Sequence, residues 1–584
     1  MNFFKTFLAS LLALVVFSAL SFLFFLLLVA ALSASDVVAV KPNSVLLLPL
    51  DARITEQHTP NPFEGFPGSS DPPNLGLIQL KETISRASAD PNIKGILLTA
   101  SYPIAGFATI EEVRTALQQF RQSGKWVVAY SEIMSEQAYY LATAADKIYL
   151  NPEGELEFNG LTAEVGFFKK MFDKLEIKPE IFRVGDYKSA VEPFMLEKMS
   201  KENREQLSEL VNGIYDVVVQ QVAQARNLDK NKLREISDKM LVRNAKQALE
   251  YQLVDSLLYY DEVLSDIRNR LGLQPDGKIN FITYKKYQKS RSEEEKKLSS
   301  NEVAVIVADG TIVPGKADAE LIGSETFTEL IRKARENKRV KAVVLRINSP
   351  GGSFQASDVM WREINLTSQV KPVIASMSDY AASGGYYLAM GCDTIVAHPH
   401  TITGSIGIFS VLFDASGFLG NKLGITFDEV RTGEFGELIT FTRPLTEAEK
   451  QVWQKRTEEI YGVFTTKAAR GRGLSVEDIG KVAGGRVWTG EQALQRSLVD
   501  VLGGMDEAIR LAAEAAGIGS DYRVRYYPKT KSFAEQVLAA IGGESETRQL
   551  KKQLGAYYPL YRQFLHTRHL HGLQARMPYE LTIR

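Results

Sequence analysis

The sequence predicts an α/β protein built twice over, with two mostly parallel sheets in tandem behind an N-terminal membrane-spanning helix. Three observations predict this. An uncharged apolar run of about 26 residues, Phe7–Leu32, exceeds the roughly 20 needed to cross a bilayer. Short β-branched runs then alternate with helical patterns, the signature of βαβ units. Finally, the pattern restarts after an offset of roughly 247 residues.

The apolar run is longer than the roughly 7 to 15 residues of a secretory signal's core, so an uncleaved anchor is expected, although Ser33-Ala34-Ser35 imitates a cleavage site. Lys5 precedes the span and Asp36 and Lys41 follow it, a weak bias toward a cytoplasmic amino terminus. Val45–Leu50 reads as the first strand, and His58–Pro73, rich in Pro, Gly and Ser, as a surface loop. Ile93–Thr99 reads as a strand, Ile110–Ser123 as a helix stopped by Gly124, and Trp126–Tyr130 as a third strand. Glu202–Arg226 and Lys230–Lys239 read as helices. The charged stretch Tyr284–Ser300 reads as solvated surface at a domain boundary. Beyond it Val303–Ala308, Val343–Ile347 and Pro372–Ser376 are strands and Ser324–Lys338 a helix. The expected division is an anchor at 1–35, a first repeat at 36–290, a second at 291–525, and a tail at 526–584 expected to be helical.

With 584 residues, 45% of them hydrophobic, the chain is too long for one core. A net charge of -1 gives no electrostatic footprint for nucleic acid. Cys392, the only cysteine, excludes an intrachain disulfide and argues against thiolate-bound zinc. Neither a metal nor a cofactor is expected.

The repeat is visible residue by residue. Tyr139-Tyr140-Leu141-Ala142 and Asp146 correspond to Tyr386-Tyr387-Leu388-Ala389 and Asp393; Leu253-Val254-Asp255 corresponds to Leu498-Val499-Asp500. The differences carry the chemistry. Ser383-Gly384-Gly385 of the second copy faces Glu136-Gln137-Ala138 of the first, whereas the first copy's Gly185-Asp186-Tyr187-Lys188 is replaced by Gly433-Glu434-Phe435-Gly436. If the serine and the lysine share a site, it spans two repeats or two subunits.

A serine at the mouth of a helix, among glycines that admit close backbone, suits a nucleophile facing amide donors, although the same pattern also serves as an N-cap. Its hydroxyl needs a base. His398 and His400 are nearest in sequence, but no carboxylate stands at a readable spacing to orient them, so they are expected at the surface or in a turn. A lysine can replace histidine when burial lowers its pKa, and Lys188 lies beside Ala190, Val191 and Phe194. Gly351, Gly352 and Gly384 are candidate oxyanion donors, and Ser405 a candidate partner for the lysine.

The anchor, the duplicated unit, and the motifs N-S-P-G-G-S, D-Y-A-A-S-G-G-Y-Y-L-A and G-D-Y-K-S-A-V-E-P-F resemble the signal peptide peptidase (SppA) family in its long, two-repeat form. The resemblance runs from the anchor to about Leu502, and the tail after about Lys531 is not covered. It implies tandem Clp/crotonase-like ββα superhelix domains and a Ser/Lys dyad, with Ser383 as nucleophile and Lys188 as general base. It also implies a homotetramer on the bacterial inner membrane, held in the bilayer through residues 7–32 with its catalytic domains on the periplasmic side, that degrades remnant signal peptides. Two other readings remain open at this point: a non-proteolytic crotonase-fold enzyme of acyl-CoA type, and an inactive membrane scaffold.

Overall fold

The computed structural model describes residues 2–33, 39–58, 74–290, 299–317, 321–529 and 573–577. Asn2–Ser33 forms one helix, whose Phe3–Ser21 stretch has a mean hydropathy of 2.1 and no burial against the rest of the chain. It is long and apolar enough to cross a membrane.

The first repeat is built on six parallel strands in the order Ser256–Leu257, Lys147–Leu156, Trp126–Met134, Ile93–Thr99, Ser44–Pro49, Asn280–Thr283. The second repeats the plan: Ile402–Gly404, Val373–Ala382, Val340–Ser349, Glu302–Asp309 and Arg523–Tyr527 run parallel, and Val487–Thr489 adds antiparallel at one edge. Nearly continuous apolar strands suit sheets buried on both faces, and Val343, Val344, Leu345 and Ile347 are all buried.

Equivalent polar contacts confirm the duplication. Tyr139 Oη donates to Leu253 O at 2.9 Å, and Tyr386 Oη to Leu498 O at 3.1 Å. Asp146 accepts from Val127 N and Asp393 from Val373 N, each at 2.8 Å. Asp255 pairs with Arg226 and Asp500 with Arg472, each through a guanidinium nitrogen at 3.0 Å.

A third, mixed sheet joins the repeats. Its order is Leu321–Gly323, Thr311–Val313, Gly351–Ser353, Gln574–Arg576, Phe409–Asp414, Lys178–Arg183, so the first repeat supplies one edge strand, the tail supplies Gln574–Arg576 and the second repeat the rest. Lys178–Arg183 runs antiparallel to Phe409–Asp414 over six residue pairs. This ladder carries the lysine-bearing turn that follows Arg183 across to the second repeat.

A buried ionic cluster fixes the same junction. Arg346, with no exposure, donates to Glu56 at 2.9 Å and Glu112 at 3.2 Å from the first repeat, and to Ser376 and Ser378 at 3.1 and 2.9 Å from its own sheet. Asp379 accepts from Thr109 N at 2.9 Å and Thr109 Oγ1 at 2.6 Å, bonding the start of the Phe107–Gln122 helix to the second sheet.

Two expectations are corrected, and a third falls outside the described residues. The tail is not simply helical: Arg523–Tyr527 and Gln574–Arg576 are strands, both stabilised by ladders with distant partners that local pattern cannot reveal, while residues 530–572 lie outside the described residues. The stretch read as solvated from Tyr284 begins as a helix with Tyr284 and Tyr287 buried; the Arg86 guanidinium stacks on Tyr287, 4.8 Å from its centroid. Most of the expected surface loop, residues 59–73, lies outside the described residues.

Candidate active site

Val373–Ala382 ends at Ser383, which starts the Gly384–Ala389 helix with φ 54° and ψ -108°. Positive φ strains any residue with a Cβ, so the serine is held in a conformation the surroundings impose. Its N–H donates to Gly404 O at 2.8 Å, and Tyr387 N–H donates to its carbonyl at 2.8 Å. Tertiary bonds thus clamp both ends of the strained residue and turn its side chain inward, where it has no exposure.

Lys188 reaches this point from the first repeat, after Gly185 makes a turn at φ 92°. Gly485 lies so close that a methyl group there would come within 2.6 Å of the Lys188 backbone, and one on Gly407 within 3.2 Å of Lys188 Cδ. The Lys188 amine lies 2.9 Å from Ser383 Oγ, 3.1 Å from Ser405 O and 3.0 Å from Ser405 Oγ. Phe409 closes the apolar side, its centroid 6.0 Å from the nitrogen.

Burial holds the Lys188 pKa well below the ordinary lysine value, and no carboxylate opposes the shift. The nearby Glu192 is engaged elsewhere, accepting from Ser200 and from Asn203 Nδ2. A neutral amine has two N–H donors and one lone pair. Ser405 O and Oγ accept the two donors, which leaves the lone pair for the Ser383 hydroxyl. Such an arrangement can remove a proton from Ser383.

Serine and lysine therefore meet within one chain, and the structure brings Ser405 to the same nitrogen. Gly351 (φ 98°) directs its N–H at Ser349 Oγ, 3.2 Å away, so it shapes the turn and is not aimed at the groove. Gly384 follows Ser383 directly and packs within contact of Gly351 Cα, and Gly352 lies next along that strand, paired with Ile312. Gly407, Phe409, Gly484 and Gly485 were not singled out in the sequence. The Gly484-Gly485 pair was the available signal, since adjacent glycines mark close backbone approach.

The two histidines correct the sequence reading. Both are buried, at the junction of the repeats. His398 Nε2 lies 3.0 Å from Glu112, and His400 Nε2 lies 3.1 Å from Tyr140 Oη. The orienting carboxylate comes from the other repeat, which spacing could not show. Burial pushes His400 down to about 3, so it stays neutral at physiological pH.

Two homologous parallel sheets that share a mixed third sheet, and a buried lysine closed onto a strained serine between them, define a duplicated α/β protein with a serine–lysine pair at the junction of its repeats. The description "Peptidase family S49" matches this chain twice, over residues 119–274 and 365–519, and the chain belongs to that family. It is 35% identical over 511 residues to "Serine protease SPPA, chloroplastic" of Arabidopsis thaliana, covering 86% of this chain and 74% of that protein. It is 33% identical over 569 residues to "Protease 4" of Haemophilus influenzae, covering 92% and 91%. "Protease 4" of Salmonella typhi is 35% identical over 477 residues, covering 80% and 76%. The chain is a peptidase of the serine type, with a duplicated α/β fold as the sequence predicts.

Proposed function

We propose that the chain is a membrane-anchored endopeptidase in which Ser383 is the nucleophile and Lys188 the general base, acting on apolar peptides such as remnant signal peptides. The observation that carries this reading is the 2.9 Å contact between a fully buried, carboxylate-free amine and a fully buried serine hydroxyl. The Ser383 hydroxyl gives its proton to Lys188 as Oγ attacks the scissile carbonyl, and the Gly352 and Gly384 N–H groups receive the oxyanion. Lys188 then returns the proton to the leaving amine, and water hydrolyses the acyl-enzyme by the reverse transfers. Ser405 positions the amine. The Asn2–Ser33 helix is long and apolar enough to supply the anchor; the placement proposed with it is the bacterial inner membrane, with both repeats on the periplasmic side.

The test is covalent labelling by a serine-directed inhibitor, with turnover of an apolar reporter peptide followed in parallel. Labelling should fall on Ser383 and vanish in Ser383→Ala. Lys188→Arg should be inactive, because a guanidinium stays protonated. Normal turnover by Lys188→Arg would remove Lys188 as the base.

A further inference from the structure

The turn that carries Lys188 is held only loosely by that residue's own backbone. Lys188 N–H reaches Gly185 O at 3.4 Å, and the Lys188 carbonyl accepts from Arg183 Nη1 at 3.5 Å. The residues on either side are held more firmly, by one side chain. Gln206, 1% exposed on the Lys201–Arg226 helix, directs Nε2 to Tyr187 O at 3.1 Å and to Ser189 Oγ at 2.7 Å, with Asn203 Oδ1 at 3.2 Å.

The other end of the same amide faces the second repeat. Gln206 Oε1 accepts from Val487 N–H at 3.3 Å. Val487 begins the edge strand Val487–Thr489 and lies opposite Gly404. Ser405 N–H donates to Arg486 O at 2.7 Å, so Gly404/Val487 is a non-bonded pair and the Val487 N–H turns outward, where no strand meets it. Gly404 O accepts the Ser383 N–H. One amide therefore touches both neighbours of the base and the strand that sets Ser383 and Ser405. Its orientation is fixed, because Val487 N–H can only donate and Tyr187 O can only accept.

The duplication supplies an independent observation. Ser200 and Ile214-Tyr215 of this helix and its cap correspond to Thr446 and Ile460-Tyr461 of the Glu447–Arg472 helix, which sets Val452 at the place of Gln206. The repeat with Gly436 in place of the lysine thus has an exposed apolar residue where the repeat that kept the lysine has a buried amide.

Building on the reading of Lys188 as the base, we propose that Gln206 is a positioning residue of this site, setting the distance from the Lys188 amine to Ser383 Oγ and Ser405. It touches none of the reacting atoms. Without it the Tyr187–Ser189 turn loses its firmest tie, and the buried Val487 N–H loses its acceptor. A displacement of about 1 Å in a catalytic group can cost on the order of a hundredfold in rate.

The experiment compares full-length wild type, Gln206→Ala, Gln206→Glu and Glu209→Ala in detergent. It measures the pH profiles of kcat and kcat/KM for an apolar reporter peptide and the rate at which a serine-directed inhibitor labels Ser383. In Gln206→Ala, kcat and the labelling rate should fall by about tenfold or more, with KM changed by less than about twofold. Gln206→Glu keeps the size of the side chain, but its carboxylate cannot donate to Tyr187 O and adds a negative charge beside the base. That charge favours the ammonium, so the ascending limb of kcat/KM should move up by about one pH unit. Glu209→Ala removes the pairing of the same helix with Arg486, at 2.7 Å, without touching the turn, and should behave as wild type. An unmoved limb in Gln206→Glu would overturn the proposal, as would an unchanged kcat in folded Gln206→Ala. So would an equal loss in Glu209→Ala, because any loosening of the helix would then suffice. Wild type that neither labels at Ser383 nor cleaves the reporter would sink the Ser/Lys reading, and this proposal with it; where wild type does both, a negative result bears on Gln206 alone.

Discussion

The Lys188 amine stands 2.9 Å from Ser383 Oγ across 195 positions of sequence, and both side chains are fully buried. Two repeats that each lost half of the pair regain a site only by docking on one another.

Peptide cleavage should rise with pH along a single ascending limb set by Lys188. Only the neutral amine can accept the Ser383 proton, and burial lowers the pKa well below 10.5. The pH profile of kcat/KM measures this. A limb at or above the ordinary lysine value would contradict the assignment. In Ser405→Ala an acceptor that also favours the ammonium is lost, so the limb should move to lower pH and kcat should fall roughly tenfold, the worth of about one hydrogen bond.

Much of this molecule was legible in its sequence, and the remainder fails for identifiable reasons. Ile93–Thr99 matches the observed strand because apolar β-branched runs depend little on context, and the two-copy comparison isolated Ser383 and Lys188 by their complementary loss. What could not be read was environment. Lys188 alone looks like a surface lysine, since its shell of Ser405, Gly407, Phe409 and Gly485 belongs to the other repeat. His398 and His400 looked solvated because Glu112 and Tyr140 are equally remote. Gln574–Arg576 has no strand pattern of its own, and Gly351–Ser353 imposes one.

Lys188→Met should abolish cleavage, by about ten-thousand-fold or more, while raising stability. The sign follows from proton binding. Between the lowered folded pKa and 10.5 the unfolded chain holds one proton more at this position than the native chain does. Wild-type stability therefore rises with pH across that window, by about 1.4 kcal/mol per pH unit, and the penalty is greatest below the folded pKa. The apparent Tm advantage of Lys188→Met should accordingly be large at pH 7 and shrink toward pH 10. A pH-independent difference would mean that the native amine is charged.

Arg346→Met should destabilise by about 3–5 kcal/mol, because it leaves Glu56 and Glu112 buried without this guanidinium. The Lys81 ammonium still pairs with Glu112, so Glu56 is the more exposed to the loss. Adding Glu56→Gln should restore part of the stability, a non-additivity that thermal unfolding of the four-member cycle would measure. Activity should fall with stability, since the cluster joins the repeats that supply Lys188 and Ser383. Strict additivity would show that Arg346 and Glu56 do not interact energetically.

Ser383→Gly and Ser383→Ala should both be inactive, yet differ in stability. At φ 54° and ψ -108° a residue with a Cβ is strained, and glycine is not. Alanine keeps the strain and removes only the hydroxyl; glycine removes both, although it adds freedom to the unfolded chain and so gives back part of the gain. The backbone strain at such a position is worth about 1–3 kcal/mol, so a net advantage of about 1 kcal/mol for Ser383→Gly over Ser383→Ala is expected in denaturant unfolding. Were alanine the more stable of the two, the serine would be relaxed in solution, and the clamp formed by Gly404 O and Tyr387 N would not be forcing the hydroxyl toward Lys188.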